Sequence, residues 1–142
     1  MGKFIKGNAG KPKGSLGKNS RRKTINAIVK GNEKQLGIYI IKCGDSKFYK
    51  IGRTTDLNRR LYDIQSTNPY SISLCKFIEC KDNNYYKILE KTIHLHLKNY
   101  NHHGEWFLLS DSLFAILMTV NTLEDANKLP ELLKPNLFTI LN

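Results

Sequence analysis

The chain has 142 residues, 40% of them hydrophobic, which allows one packed domain with an appendage but not two independent cores. Its apolar runs fall short of the about 20 residues that a membrane-spanning helix needs, and no apolar stretch follows the first lysines. We therefore expect an intracellular protein of the cytoplasm or nucleus with no membrane partner. The three cysteines are odd in number and lack a C-x-x-C pairing, which argues against a disulfide framework or a zinc ribbon.

The formal net charge of +11 is concentrated at the start of the chain. Residues 1–35 carry ten Lys or Arg against one acid, a net +9, whereas residues 36–142 carry thirteen against eleven, a net +2. We expect residues 1–35 to be a flexible basic arm that neutralises DNA phosphates without recognising base sequence. A solubilising terminus is the alternative. The arm residues expected to bind DNA are Lys11, Lys13, Arg21, Arg22 and Lys23.

After the arm, apolar residues alternate over 36–41 and again over 48–51, with a Gly-containing turn between them, which predicts a β-hairpin. A helix should follow Asp56, because Asp is a favourable N-cap and apolar residues then recur on one helical face. That face would consist of Leu57, Leu61 and Ile64. The helix should end before Asn68 and Pro69.

Residues 71–79 alternate again and predict a third strand. A longer helix over about 84–99 is predicted from apolar or aromatic residues at three-and-four spacing. Those residues are Tyr85, Leu89, Ile93, His96 and Tyr100. Residues 101–104 would be a turn, and 105–109 a short strand or edge segment.

The chain then divides into three predicted regions: the arm at 1–35, a domain at 36–110, and a helical extension at 111–142 packed on the domain. With Ser110 or Asp111 as its N-cap, the extension should be helical to about residue 123 and again over about 124–133. We predict an α/β (α+β) fold with a small three-stranded, mostly antiparallel sheet flanked by helices.

Several motifs fall on these elements in one order: Gly37-Ile38-Tyr39, then Tyr49-Lys50-Ile51-Gly52, then Arg60, then Glu90. This combination resembles the GIY-YIG nuclease superfamily, which places an arginine about eight residues after the glycine of the second motif, as Arg60 follows Gly52 here. Further matches resemble the meiotically up-regulated gene 113 type branch, which is widespread in phages and large DNA viruses. They include Arg53, His94 and the run Glu105-Trp106-Phe107.

The resemblance implies a DNA endonuclease that hydrolyses phosphodiester bonds by a one-metal mechanism. Glu90 would bind Mg²⁺ or Mn²⁺ through hard carboxylate oxygens, and Arg60 would bind phosphate oxygens. Tyr39 would position or deprotonate the attacking water if a cation lowers its pKa. His94, one helical turn after Glu90, would support the metal site or move a proton. Arg53 would add a contact to DNA.

One position departs from the family pattern. Counting from Gly52, the place of the second tyrosine is taken by Lys50, and Tyr49 is displaced by one residue, so it should point to the opposite face of the strand. We hypothesise that Lys50 rather than Tyr49 is catalytic, either by orienting phosphate or as a desolvated base. Glu105 has no assigned role, although it could orient Lys50 or Arg60.

Double-stranded DNA is the expected partner, cut or nicked by a monomer or a transient dimer. The alternative is a catalytically weak or inactive nucleic-acid-binding module of the same fold, which the lysine at position 50 motivates. A third interpretation, an RNA-associated protein, depends on charge alone. Trp106 and Phe107 have two interpretations, as core anchors at the edge of the sheet or as platforms for base stacking.

Overall fold

The computed structural model describes residues 34–134, a mixed α+β fold with helices on both faces of one antiparallel sheet. The strands are β1 Gly37–Cys43, β2 Phe48–Thr54, β3 Ile72–Glu79, β4 Asn101–His103 and β5 Trp106–Leu108. The helices are α1 Leu57–Ser66, α2 Asn83–His96, α3 Asp111–Leu117, α4 Leu123–Asn127 and α5 Leu129–Leu133, with a 3-10 turn at Lys98–Tyr100. The arm residues predicted to bind DNA, Lys11, Lys13, Arg21, Arg22 and Lys23, lie outside the described range.

The sheet has five strands in the order β3-β1-β2-β5-β4, so the prediction of three strands was wrong. Of the two additional strands, β5 lies within the short strand or edge segment predicted over 105–109. Strand β4 was not predicted, because its three residues are too few to show the alternation by which a strand is recognised in sequence. Residues 101–104, predicted as a turn, form β4 and the start of a second hairpin. Gly104 turns this hairpin with φ 57°, a left-handed conformation that favours glycine.

Because successive side chains of a strand point to opposite faces of the sheet, those of β1 and β2 pack in two different cores. On one face Ile38, Tyr49 and Ile51 pack with α2 and the C-terminal helices, and Leu117, Val120, Ala126 and Leu129 belong to the same cluster. On the other face Tyr39 and Ile41 pack against the apolar side of α1. The central hairpin therefore holds a helix layer on each side, and its neighbouring residues are directed to opposite faces.

The local signals for helix starts are confirmed. Asp56 caps α1 by accepting a hydrogen bond from the backbone N–H of Arg59 at 3.2 Å, and α1 ends at Ser66. Ser110 caps α3. Two predicted helices were too long, because α2 ends at His96 and α3 at Leu117. No helix within residues 34–134 is long and apolar enough to cross a membrane.

Candidate active site

Tyr39 and Gly52 face each other across the β1–β2 pair, and the packing between them needs a glycine. A Cβ atom at Gly52 would overlap the Tyr39 hydroxyl and lie 2.7 Å from Oε1 of Glu105. The contacts with the Tyr39 hydroxyl and with Glu105 are both shorter than real Cβ atoms make, so any larger residue at position 52 would displace the two side chains. Position 52 therefore needs a glycine, because the side chains of Tyr39 and Glu105 occupy the space of a Cβ atom.

Four polar side chains meet beside this glycine and are called the Tyr39 cluster: Tyr39, Lys50, Arg60 and Glu105. Nε of Arg60 donates to the Tyr39 hydroxyl at 3.2 Å, and that hydroxyl donates to Oε1 of Glu105 at 3.4 Å. Nζ of Lys50 lies 3.3 Å from the same carboxylate oxygen. Glu105, to which the sequence assigned no definite role, is therefore the acceptor that joins a phenol to an amine.

Tyr39 is 0% exposed, and burial raises the pKa of its hydroxyl to about 12, although the hydrogen bond from Arg60 acts in the opposite direction. The cation next to Tyr39 was expected to lower this pKa, but desolvation is the larger effect. The phenol is therefore protonated at neutral pH and acts as a hydrogen-bonding bridge. Its bond to Arg60 also raises the pKa of the guanidinium, which stays charged.

The structure places Lys50 and Tyr49 on opposite faces of β2. Tyr49 is 3% exposed and stacks on Phe114 with ring centroids 4.6 Å apart, in the core under the C-terminal helices. Lys50 lies on the side of Tyr39 and Arg60, and 15% of its side chain is exposed. Of these two residues, only Lys50 belongs to the Tyr39 cluster.

A second group of polar residues, called the Glu90 cluster, contains Arg53, Glu90 and His94. Nη1 of Arg53 donates to Oε1 of Glu90 at 2.9 Å, so a residue predicted to bind DNA is paired with the predicted metal ligand. His94 Nε2 lies 2.7 Å from the backbone oxygen of Ile51. Because a carbonyl oxygen only accepts, Nε2 carries the hydrogen and Nδ1 is left for another partner.

Glu90 is 8% exposed, and its Oε2 is buried without a hydrogen-bond partner among the described residues. Burial raises the pKa of this carboxyl, Glu105 raises it further, and His94 and Arg53 oppose the change. An unpartnered buried carboxylate oxygen costs free energy unless a cation or water binds it. The residue therefore fits a divalent hard metal, which needs only one or two protein ligands. Within residues 34–134 no group of three acidic, His or Cys side chains surrounds a possible metal position.

The two clusters flank one residue of β2, Ile51. The N–H of Ile51 donates to the backbone oxygen of Glu105 at 3.0 Å, and its carbonyl accepts from His94. Pairing of β2 with β5 stops at Lys50, so the edge is open beside Gly52. Residues that are far apart in sequence thus converge on one short segment of strand.

The T5orf172 domain model matches residues 37–129. The chain belongs to the T5orf172 domain family. Domains of this family are nuclease-related and are associated with DNA binding. No curated protein and no solved structure gives a match to the chain. The matched region continues past residue 110 and includes α3 and α4, which supply part of the larger core.

The T5orf172 domain presents one cleft beside each cluster. The first, of about 350 Å³, is lined by Lys50, Arg60, Asp63, Ile64, Thr67, Asn68 and Trp106. The second, of about 420 Å³, is lined by Arg53, Lys87, Ile88, Glu90, Lys91 and His94. Lys87 and Lys91 were not identified in the sequence, although Lys91 follows Lys87 by four residues and Glu90 follows Lys87 by three, the spacings of one helical face. Nothing in the sequence singled out Thr67.

Proposed function

We propose that this T5orf172 domain protein is an endonuclease of the GIY-YIG type that hydrolyses DNA phosphodiester bonds with one bound Mg²⁺ or Mn²⁺. The observation that carries the proposal is that the Tyr39 cluster, with the basic side chains Lys50 and Arg60, and the Glu90 cluster, with one unpartnered carboxylate oxygen, lie on the two sides of Ile51. Phosphodiester hydrolysis needs positive charge at the non-bridging and leaving oxygens. The two clusters supply these groups on the two sides of one strand edge.

Arg60 would bind the scissile phosphate. Its Nε is used in the bond to Tyr39, which leaves the terminal nitrogens of the guanidinium to donate to phosphate oxygens in the first cleft. Tyr39 is then a positioning residue, because a fully buried phenol orients the arginine without contacting DNA. A planar guanidinium held at Nε has its remaining donors aimed in one direction.

Lys50 is the better placed of the two candidates for the base, because its amine lines the first cleft while the Tyr39 hydroxyl is buried. As the base, Lys50 would accept the proton of the attacking water while the water oxygen bonds to phosphorus and the bond from phosphorus to the leaving oxygen breaks. Glu105, 3.3 Å away, would stabilise the ammonium that forms. A metal bound at Glu90 would supply positive charge to the leaving oxygen.

A second candidate function is a binding module of the same fold that cleaves poorly or not at all. The ion pair between Arg53 and Glu90 favours it, since one oxygen of the predicted metal ligand is already bound to a cation at 2.9 Å. Such a module would keep the cationic clefts and bind DNA without metal. Relaxation of supercoiled plasmid distinguishes the two functions.

The experiment incubates supercoiled plasmid with the wild-type chain in Mg²⁺ or in EDTA, beside Glu90→Gln, Arg60→Ala and Lys50→Ala. Removing a group that stabilises transition-state charge costs roughly 10²–10³ in rate, so each variant and the EDTA sample should show a loss of about that size. Tyr49→Phe is the matched control, because it removes one hydroxyl from the opposite face of β2 and should nick at the wild-type rate.

Nicking that survives in EDTA or in Glu90→Gln would contradict the metal mechanism. Loss of nicking in Tyr49→Phe but not in Lys50→Ala would contradict the assignment of the base. DNA binding without any relaxed or linear product would support the binding module. Tighter binding to RNA than to DNA at matched salt would instead support an RNA-associated role.

A further inference from the structure

Helix α1 covers only part of the sheet face that carries Tyr39. Its contacts are with residues of β1 and β3, such as Tyr39 and Ile41. The same face continues across β2 and β5, where Lys50 pairs with Trp106 and Phe48 lies two residues before Lys50. Neither Phe48 nor Trp106 belongs to the two clusters of buried side chains in the described chain. The second hairpin thus extends the sheet beyond its helix cover.

Three ring-bearing residues on this part of the sheet form what we call the aromatic shelf: Phe48, His102 and Trp106. The rings of Phe48 and His102 have centroids 4.8 Å apart. The amine of Lys50 lies 5.5 Å from the centroid of the Trp106 ring. Phe107, on the opposite face, is 1% exposed and is the residue that anchors β5 in the core. Trp106 is only half-buried, so part of this residue is exposed to solvent.

The shelf borders a cavity of about 350 Å³ that is also lined by Cys43, Asn68 and His103. Asn68 and Trp106 line both this cavity and the first cleft, so the two spaces adjoin. Lys50 and Arg60 attract a phosphate into the cleft, and the shelf offers flat rings and polar groups next to it. A nucleotide is complementary to this arrangement, because its anionic phosphate is joined to a flat base with hydrogen-bonding edges.

We propose that the aromatic shelf stacks an unpaired nucleobase next to the phosphate held by Lys50 and Arg60, so that the preferred substrate is DNA with unstacked bases at the cleavage site. The position of the phosphate rests on the proposed function. Every base has a face that stacks on aromatic rings, but inside a duplex that face is covered by neighbouring base pairs. Single-stranded or locally unpaired DNA therefore fits the shelf, and regular duplex does not.

Trp106 is the only tryptophan of the chain, so its fluorescence reports directly on the shelf. The full chain is titrated in EDTA, where cleavage is excluded, with a short thymidine oligonucleotide, an abasic oligonucleotide of equal length and charge, and a regular duplex. We expect the thymidine strand to quench Trp106 and to bind about tenfold tighter than the abasic strand. The abasic strand should bind through its phosphates with little quenching.

His102→Ala should weaken binding of the thymidine strand several-fold and leave binding of the abasic strand unchanged. Tyr70→Ala is the matched control, since Tyr70 is 55% exposed but does not line the cavity. Equal affinity and quenching for the two strands would overturn the proposal, as would emission that no oligonucleotide changes. Base-dependent quenching without Mg²⁺-dependent cleavage of either the plasmid or the thymidine strand would support the shelf and contradict the endonuclease. Mg²⁺-dependent cleavage with equal affinity for the thymidine and abasic strands would support the endonuclease and contradict the shelf.

Discussion

Glu105 accepts a hydrogen bond from the fully buried hydroxyl of Tyr39 at 3.4 Å, although the two residues are 66 positions apart in the chain. The same hydroxyl accepts from Arg60, so it lies between a carboxylate and a guanidinium. A phenol can serve both partners because its oxygen donates one hydrogen and accepts another. This arrangement makes the protonated Tyr39 a structural bridge in the site.

Stability should fall in alkaline solution because of Tyr39. The folded protein holds the phenolic proton with a pKa of about 12 against an ordinary value of 10.0, so this contribution is complete below about pH 10 and is lost as pH rises toward about 12. At about pH 11 the wild type should lose about 1 kcal/mol of unfolding free energy more than Tyr39→Phe does. Urea unfolding at about pH 8 and about pH 11 measures this, and equal losses in both proteins would contradict it.

Gly52→Ala should reduce nicking by at least about tenfold, because the new methyl group would displace the Tyr39 hydroxyl and Glu105. Overpacking of this kind also costs roughly 1–3 kcal/mol of stability. Gly44→Ala is the control: its φ of 53° strains an alanine, but the nearest heavy atom is the Cβ of Tyr70 at 3.6 Å, away from the site. Gly44→Ala should therefore lose about 1–2 kcal/mol and keep its nicking rate.

Metal binding at Glu90 should stabilise the fold even when no DNA is present. At a Mg²⁺ concentration about ten times the dissociation constant, linkage adds about 1.4 kcal/mol, which raises Tm by about 4 °C for a protein of this size. Glu90→Gln should lose this increase, whereas Glu124→Gln, which alters an exposed acid on α4, should retain it. Calorimetry with and without Mg²⁺ decides the point, and an identical increase in Glu90→Gln would exclude Glu90 as the ligand.

The lysines of the second cleft should contribute to DNA affinity through phosphate contacts. Each neutralised phosphate contributes about 0.9 to the slope of log affinity against log salt, so replacing Lys87 and Lys91 with Ala should reduce that slope by about 1.8. The double variant Lys81→Ala and Lys128→Ala removes the same charge from exposed positions outside the clefts and should change the slope much less. Equal slopes for the two double variants would show that only overall charge matters.

Local features were predictable because they depend on neighbours in the chain. Period-two alternation marked β1, β2 and β3, and Asp56 and Ser110 capped the helices that follow them. Alternation also placed Lys50 and Tyr49 on opposite faces, as the structure has them. The short strand β5 lies within the strand or edge segment predicted over 105–109, whereas β4 was predicted as part of a turn, because three residues have no period of their own.

By itself, the sequence determined the order of the hairpin, the helix that carries Arg60 and the helix that carries Glu90, since hydrophobic periodicity and capping act over a few residues. Only the tertiary structure decided that Glu105 reaches Tyr39 and Lys50, that Arg53 pairs with Glu90, and that the pKa of Tyr39 rises. Hydrogen bonds across strands and the burial of a hydroxyl depend on which surfaces pack together. That packing arises from contacts between distant parts of the chain, which local patterns do not encode.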